Sequence, residues 1–174
     1  MMTIYYKGNI FIMLIINYIP EYRGELIELQ RQQWGDGSDT DDLLENTQHL
    51  QIKLLVEDQK LYGAIVWHIE YGSVCYLDFI ILRPEVQHQG WGNKLLKICL
   101  DWAKRNLLEK VECAAIEAKG IVNAKNLLEA NGFVCTESIE NYWGDRHPDF
   151  NCLECGQCPC VCTMHRYEKS IRRK

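Results

Sequence analysis

The sequence lacks any concentration of positive charge apart from one terminal run. Its 24 Asp and Glu residues outnumber its 19 Lys and Arg residues, which gives a formal net charge of -5. The basic run Arg172-Arg173-Lys174 lies at the very end of the chain. Because nucleic acids are bound through clustered Lys and Arg, this distribution argues against nucleic acid as a partner.

Long hydrophobic runs are also missing. The apolar stretch at residues 10–16 is too short to cross a bilayer, and it has neither the basic flank nor the cleavage site of a signal peptide. We therefore predict a β-strand there and no membrane partner. Nine cysteines without a secretion signal indicate a reducing compartment, the cytoplasm, and free thiols instead of disulfides.

No repeat, low-complexity segment or linker divides the chain, so we expect one domain over residues 1–174. Hydrophobic periodicity and turn residues predict the order β-α-α-β-β-β-α-β-α-β-β. Three of the strands follow one another through tight turns and form an antiparallel meander. Strands are expected at 10–16, 52–57, 62–70, 74–82, 111–117, 133–142 and 161–171, and helices at 21–33, from 39 or 40 to about 50, at 93–107 and at 122–129.

Two glycines mark the turn between the strand at 74–82 and the next helix, in Gln87-His88-Gln89-Gly90-Trp91-Gly92. Glycine permits a sharp turn that exposes backbone N–H groups, and a helix start adds further unpaired N–H groups, so the segment favours a phosphate or pyrophosphate. It is not a Walker loop, because Asn93-Lys94 follows Gly92, nor a dinucleotide fingerprint, because Leu95 stands where glycine is required. A tight connection without a ligand is the alternative.

The pattern Q-x-x-G-x-G after a strand that ends in Leu82-Arg83-Pro84 resembles the GNAT superfamily of acyl-CoA N-acyltransferases. The resemblance implies an α/β (α+β) fold with a central mixed and largely antiparallel sheet flanked by helices. It places the start of such chains near Met13, so residues 1–12 are either an extension or the beginning of a strand. The cofactor-binding residues that it implies are Ile80, Ile81 and Leu82 for pantetheine, Gln87, His88, Gln89, Gly90, Trp91, Gly92 and Asn93 for pyrophosphate, and Asn123.

The catalytic groups are less evident. The family often places a proton-donating tyrosine four residues before the glycine that ends the fourth helix, and this chain has Leu128 there. The general acid is therefore unassigned, and proximity of amine and thioester is expected to carry much of the rate enhancement. Glu117 is the first candidate for the general base, with Asp78 or Tyr76 acting through water as alternatives.

Two adjacent aromatic residues, Tyr142 and Trp143, are interpreted as lining the acceptor pocket, with core packing as the alternative. If another residue acts as the general acid in place of the missing tyrosine, Tyr142 is the candidate. The expected activity is transfer of acetyl from acetyl-CoA to a primary amine of a small molecule or peptide, directly in a ternary complex, by a monomer or homodimer. A non-catalytic CoA-binding or metal- or redox-sensing module is the alternative.

Five cysteines crowd into residues 152–162, within a segment at 145–162 that is long for a connection between the last two strands. C-x-x-C-G is typical of a knuckle that grips a metal ion, and the absence of ferredoxin spacing favours zinc. We expect Cys155 and Cys158 at the centre of the site, completed by Cys152 and either Cys160 or Cys162. A reduced loop without metal is the alternative. The other four cysteines, Cys75, Cys99, Cys113 and Cys135, are expected to be small buried hydrophobes.

Overall fold

The computed structural model describes residues 2–6, 9–35, 40–149 and 151–172, and in them a nine-stranded sheet forms the centre of the molecule. The strands are β1 Met2–Tyr6, β2 Asn9–Asn17, β3 Gln51–Glu57, β4 Lys60–Glu70, β5 Val74–Leu82, β6 Lys110–Ala118, β7 Ile121–Val122, β8 Val134–Ile139 and β9 Thr163–Ser170. The helices are α1 Arg23–Trp34, α2 Thr40–Asn46, α3 Trp91–Arg105, α4 Lys125–Ala130 and α5 Tyr142–Arg146.

The strands lie in the order β1-β2-β3-β4-β5-β6-β9-β8, with the short β7 beside β6. Only β5 and β6 pair in parallel among the described strands, and α3 is the crossover that connects them. This agrees with the rule that parallel neighbours need a long connection. The predicted fold class, a mixed and largely antiparallel sheet flanked by helices, is confirmed.

Helices cover both faces of the sheet, and each face has its own apolar core. The stripe of α3 that includes Leu95, Leu96 and Cys99 packs with Trp67 of β4 on one face, together with Leu128 of α4. On the opposite face, Leu26 of α1 packs against strand residues such as Val66. We call the first of these faces of the sheet the α3 face and the second the α1 face.

A β-bulge in β5 changes which face its side chains cover. Phe79 pairs with Val66 and Leu77 pairs with Trp67, so no residue of β4 lies opposite Asp78 in the register of the two strands. Before the bulge the buried side chains of β5 belong to the α3 face, and after it Phe79 belongs to the α1 face. A bulge therefore redirects side chains at the centre of this strand.

The helix predicted at 122–129 is wrong in its first part. Lys119 and Gly120 have φ of 53° and 78°, the left-handed values that a two-residue hairpin turn requires, and β7 folds back on β6. The Asn123 N–H donates to the Ile116 carbonyl at 2.8 Å, which continues this hairpin. The helix α4 begins only at Lys125.

The strand predicted at 133–142 is too long. Asn141 adopts a left-handed conformation with φ of 53°, and the short helix α5 follows. Tyr142 thus lies in a helix and not at a strand end. Cys135 was expected to be buried, and it is exposed because every residue from 134 to 138 of the edge strand β8 is exposed.

At the other end of the chain, residues 2–6 form β1 and pair with β2, and β2 itself begins at Asn9, before Met13. Within the residues described, no helix combines the length and the apolar character needed to cross a membrane.

Candidate active site

The sheet opens between its two parallel strands. β5 and β6 pair over Val74–Leu77 and Lys110–Cys113, and the pairing stops at the bulge although both strands continue. On its other side β5 stays paired with β4 as far as Leu82. The edge of residues 78–82 that faces β6 therefore has backbone groups without a strand partner. Backbone groups alternate between the two edges of a strand, and the Arg83 N–H donates to the Tyr62 carbonyl on the β4 side. Of the three residues predicted to contact pantetheine, Ile80 and Leu82 therefore direct backbone groups to the opening, and Ile81 directs its groups to β4.

The glycine loop ends in the first turn of α3, next to this opening. Gly90 is the residue before the helix and has φ of 83°, and His88 has φ of 58°. These left-handed conformations turn the chain so that α3 starts with N–H groups that have no partner inside the helix. Such a helix start attracts anions through its N–H groups and its dipole.

The side chains of the loop mostly stabilise it. Trp91 is buried with Met13, Leu55 and Val86, so it anchors the loop to the sheet. Gln87 donates through Nε2 to the Leu82 carbonyl at 2.9 Å, which joins the loop to the end of β5. A ligand at this loop would thus meet backbone far more than it would meet these side chains.

Gly92 faces a narrow gap between α3, β5 and α4. A Cβ built on it would lie 3.4 Å from the Leu127 Cδ2 atom and 3.8 Å from the Leu82 Cδ1 atom. Both distances are ordinary van der Waals contacts, so a Cβ fits there. A larger branched side chain would fill the gap beside the free N–H groups of the helix.

A shallow groove of about 470 Å³ continues from this gap along α3. Asn93 lies at its start, and its Oδ1 accepts a hydrogen bond from the Asn131 Nδ2 at 2.7 Å. Positive charge is concentrated in the groove, with one acidic side chain among its lining residues. These residues are Asn93, Lys97, Leu100, Asp101, Lys104, Ala130, Asn131, Gly132 and Lys169.

A buried carboxylate lies where the opening begins. Asp78, the bulge residue, contacts His68 with 2.9 Å between its Oδ2 and the imidazole Nδ1, and its side chain is 11% exposed. Burial raises the pKa of Asp78 to about 6, although the hydrogen bond from His68 opposes that rise. Asp78 is thus ionised at neutral pH with a pKa close enough to exchange protons there.

Tyr76 lies beside this pair, with its ring centroid 5.6 Å from that of His68. Burial, reinforced by the charge of Asp78, raises the pKa of Tyr76 to about 12. The phenol is therefore neutral throughout the physiological range. His68 and Tyr76 are neighbours of Trp67 and Leu77, which face α3, so both point to the α1 face.

Glu117 takes part in a chain of three polar side chains on the other face. Its Oε2 lies 2.7 Å from the His165 Nε2, and the His165 Nδ1 lies 2.7 Å from the Ser138 Oγ. His165 pairs with Ala115, a residue of the α3 face. The three hydrogen-bonded side chains therefore lie on that face. The candidate base predicted first is thus separated by the sheet from Asp78.

Tyr142 and Trp143 form an aromatic pair in α5, with ring centroids 5.1 Å apart in an edge-to-face arrangement. The Arg146 guanidinium covers the Tyr142 ring at 3.7 Å, and Trp143 packs against cysteine residues. Tyr142 is close enough to Tyr76 to affect its pKa. Leu128, at the position of the missing tyrosine, is buried in the core of the α3 face.

Asn123 was predicted to bind the cofactor, and the structure directs its side chain elsewhere. Its Nδ2 donates to the Glu154 Oε1 at 3.1 Å, and the same oxygen accepts from the Gln33 Nε2 at 3.0 Å. Glu154 belongs to the cysteine-rich segment. This segment therefore contacts the end of α1 and the residue after β7, at the open end of the sheet.

The cysteine-rich segment brings together four of its five sulfurs. Cys152, Cys155, Cys160 and Cys162 are buried, with sulfur atoms within 4.8 Å of one another. The fifth, Cys158, is exposed, and its Sγ lies 3.6 Å from the Pro148 carbonyl. Burial acts to raise the pKa of Cys155, but backbone N–H groups of Val161 and Gln157 lower it to about 7.

Several of these relationships could not be read from the sequence. The partnership of His68 with Asp78 depends on the bulge that brings them together across two strands. The hydrogen bonds that join Glu117, His165 and Ser138 depend on the register of three strands. Glu154 was missed because nothing in its neighbourhood except the cysteines is distinctive, although its place inside the C-x-x-C spacing was a usable signal.

Known proteins share this architecture. The model of the Acetyltransferase (GNAT) family matches residues 18–133, which include the opening, the glycine loop and α4. No curated protein sequence matches the chain.

Solved structures resemble it in fold. The ribosomal-protein-S18-alanine N-acetyltransferase of Escherichia coli superposes with a TM-score of 0.71 at 14% identity, over 94% of this chain and 96% of that one. A GNAT family acetyltransferase of Elizabethkingia anophelis with acetyl-CoA bound gives 0.69 at 20% identity, over 91% and 97%. A Bacillus subtilis acetyltransferase in complex with CoA gives 0.68 at 18% identity, over 93% and 99%.

Proposed function

Because the chain belongs to the acetyltransferase (GNAT) family, we propose that it transfers the acetyl group of acetyl-CoA to a primary amine. The transfer is direct, with both substrates bound at once. One observation carries the proposal: the parallel strands part at Asp78 next to a helix start that follows a glycine loop. That combination offers backbone groups to an extended amide-containing arm and N–H groups to a pyrophosphate.

Acetyl-CoA fits the α3 face of the opening. The pantetheine arm would pair with the free edge of residues 78–82, and the pyrophosphate would meet the N–H groups of Trp91, Gly92 and Asn93. Support comes from the acetyltransferases of this fold with acetyl-CoA or CoA bound. Asn123 is left out of this assignment, because its amide is engaged by Glu154.

The lysine-lined groove suits the remaining phosphate of the cofactor. A helix rises about 1.5 Å per residue, so Lys97 lies about 7.5 Å beyond Gly92 along α3, within reach of a phosphate on the adenosine. Lys104 and Lys169 add positive charge further along the same groove, and Asp101 opposes it. We assign the adenosine end of acetyl-CoA to this groove.

The acceptor enters from the α1 face. The thioester would lie in the opening, so an amine on the α1 face could reach its carbonyl from the side opposite the cofactor. Asp78 is on that face and takes the proton of the attacking amine, while Glu117 lies on the cofactor's face. The C–N bond forms, the C–S bond breaks, and CoA leaves as a thiolate that takes its proton from solvent.

No dedicated acid is needed for this step, because a thiol has a pKa near 8.5 and its thiolate is a good leaving group. Holding amine and thioester in attack geometry supplies up to about 7–11 kcal/mol of the barrier. This agrees with the aliphatic Leu128, which is buried in the core of the α3 face at the position where the family often has a proton-donating tyrosine.

The acceptor class that we propose is a cationic small molecule or peptide amine. Asp78 and Glu154 supply negative charge on the α1 face, and Tyr142 supplies an aromatic ring beside Tyr76. The proposed compartment is the cytoplasm, in keeping with nine free cysteines. A CoA-binding module without catalysis is the second candidate, favoured only by the absence of a tyrosine at Leu128.

The test is an acceptor screen. The protein is incubated with acetyl-CoA and a panel of diamines, amino acids and peptides with free N-termini or lysines, and both CoA thiol and product mass are measured. We expect thiol release that depends on the amine, with an acetylated product of matching amount. Tight acetyl-CoA binding with no amine-dependent release across the panel would favour the non-catalytic module.

A further inference from the structure

The four clustered thiols in the segment between α5 and β9 have the arrangement of a metal site. The Sγ atoms of Cys152 and Cys162 are 3.7 Å apart, and those of Cys155 and Cys160 are 3.9 Å apart. A regular tetrahedron with Zn–S bonds of about 2.3 Å places its sulfurs about 3.8 Å from one another. These two separations match tetrahedral thiolate coordination, and the other sulfur pairs lie within 4.8 Å. Bonded disulfide sulfurs lie only about 2.05 Å apart.

We propose that Cys152, Cys155, Cys160 and Cys162 bind one Zn²⁺ ion as a structural site. The set differs from the one expected from spacing alone, because Cys158 faces away and both Cys160 and Cys162 are included. The site consists of a Cys-x-x-Cys pair followed by a Cys-x-Cys pair. With four protein ligands it leaves no open position, so the ion takes no part in acetyl transfer.

Backbone groups around the sulfurs support this proposal. Gly156 follows the first pair with φ of 73°, and its N–H donates to the Cys152 carbonyl at 2.8 Å, which closes the turn. The Cys162 N–H points to the Cys160 Sγ at 3.5 Å. Such N–H donors to sulfur compensate the negative charge that thiolates carry in metal knuckles.

The surroundings of the cluster are apolar and closely packed. Trp143, Ile116 and Ala118 cover it, and all four cysteines are at most 8% exposed. Gly144 of α5 permits this packing, since a Cβ there would lie 2.2 Å from the Cys160 carbonyl oxygen. A dry shell of this kind keeps competing water away from the ion.

The ion would stabilise one wall of the active site, a consequence that rests on the proposed function. Glu154 lies between two ligands, Cys152 and Cys155, and it accepts hydrogen bonds from Gln33 and Asn123. The knuckle therefore fixes the carboxylate that joins the cysteine segment to α1 and to the end of β7.

Metal content of the purified protein is the first test. Protein expressed with added zinc and purified with reductant but without chelator should contain about one zinc per chain by elemental analysis. Cys158→Ser is the matched control and should keep it, because that sulfur lies outside the cluster. Cys160→Ser and Cys152→Ser should lose most of it. Iron in place of zinc, or zinc far below one per chain in the wild type, would overturn the proposal.

Wild-type protein provides a second test that no folding defect can obscure. Cobalt exchanged into the site should give the intense sulfur-to-metal charge-transfer band and visible bands of tetrahedral thiolate coordination. A thiol reagent should modify Cys135 and Cys158 rapidly in the native protein and the four ligands only after chelation. Chelation should also increase protease cleavage within residues 151–161, while acetyl-CoA affinity stays within about twofold.

Two results would contradict the site in this second test. Equal reactivity of all five thiols in the segment before and after chelation would show that no metal protects them. Five free thiols in place of nine in denatured, unreduced protein, with Cys152, Cys155, Cys160 and Cys162 mapped as the oxidised residues by mass spectrometry, would show that these four sulfurs form two disulfides. Both can be distinguished from failure of the proposed function, since acetyl-CoA binding is measured separately on the same samples.

Discussion

At the scale of single residues, we propose Asp78 in place of Glu117 as the general base. Glu117 was the first candidate by sequence, but its carboxylate is held by His165 on the α3 face. Asp78 lies at the start of the opening on the α1 face, with a pKa raised to about 6 by burial. Sequence could name Asp78 only as an alternative, because the bulge that isolates it and the cross-strand contact with His68 depend on register.

Replacement of Asp78 tests this assignment. Asp78→Asn keeps the size of the side chain but cannot accept a proton, so kcat/KM should fall by about 100-fold or more. Glu117→Gln is the matched control and should change kcat/KM by less than about threefold. The comparison needs circular dichroism and acetyl-CoA affinity for both variants. The reverse order of effects would return the role to Glu117.

The pH profile gives an independent prediction for the same residue. The base must be ionised, so kcat/KM should be low below the pKa of about 6 and should rise with pH to a plateau above it. Initial rates with saturating acetyl-CoA and low acceptor measure this limb. The rise near pH 6 should be absent from the residual activity of Asp78→Asn. If that rise persists in the variant, a group other than Asp78 causes it.

Stability should respond to Asp78 in the opposite sense. The pKa of Asp78 in the folded protein lies above the ordinary aspartate value of 3.8, so ionisation costs stability, and that cost grows as pH rises from about 4 to about 6. Asp78→Asn should therefore be at least as stable as the wild type at pH 7 in denaturant unfolding. A large loss of stability would mean that the charge of Asp78 is paired more strongly than burial indicates.

A further prediction concerns Tyr142 in α5. Tyr142→Phe retains the ring that packs on Trp143 and under Arg146, so turnover should change by less than about threefold. Steady-state kinetics on the variant checks this. A collapse of kcat with unchanged KM would identify Tyr142 as the acid that protonates the thiolate.

At the scale of elements, the glycine loop and α3 correspond closely to their prediction. Gly90 needs its left-handed φ, and the helix start follows at once, as the Q-x-x-G-x-G pattern indicated. The elements that sequence missed are short. β7 depends on the turn at Lys119 and Gly120, and α5 depends on left-handed Asn141, a conformation that Asn merely tolerates.

Gly92→Val should weaken acetyl-CoA binding by tenfold or more, which is about 1.4 kcal/mol. Its Cβ is accommodated beside Leu127 and Leu82, so the protein should fold, but the branched side chain fills the gap next to the free N–H groups. Gly24→Val is the matched control, since it is also helical and nothing lies within 4 Å of its Cβ. Equal affinity in both variants would remove the loop from the cofactor site.

At the scale of the whole molecule, the fold class could be predicted because one long motif and a clear strand meander fix most of the sheet. The ligand set of the cysteine segment could not. Five cysteines at short spacings allow several tetrahedral sets, and the fold brings the sulfur atoms of four of them within 4.8 Å of one another. The sequence therefore predicts that a cysteine cluster exists, but only the three-dimensional structure shows which cysteines belong to it.

Ligand binding should stabilise the fold, because acetyl-CoA would bind the folded state and not the unfolded chain. Acetyl-CoA at 100 times its Kd adds about 2.7 kcal/mol, and each kcal/mol raises Tm by about 2–4 °C in a chain of this size. Differential scanning calorimetry should therefore show a rise of about 5–11 °C. Gly92→Val at the same concentration should show a clearly smaller rise.

We propose that the opening between β5 and β6, together with the glycine loop, binds acetyl-CoA. Isothermal titration of acetyl-CoA into the wild-type protein tests it most directly, since no acceptor is required. We predict saturable binding of one molecule per chain, competition by CoA, and at least tenfold weaker binding by Gly92→Val than by Gly24→Val. Folded wild-type protein that gives no saturable heat with acetyl-CoA, or a Gly92→Val variant that binds it as tightly as the wild type, would contradict the account.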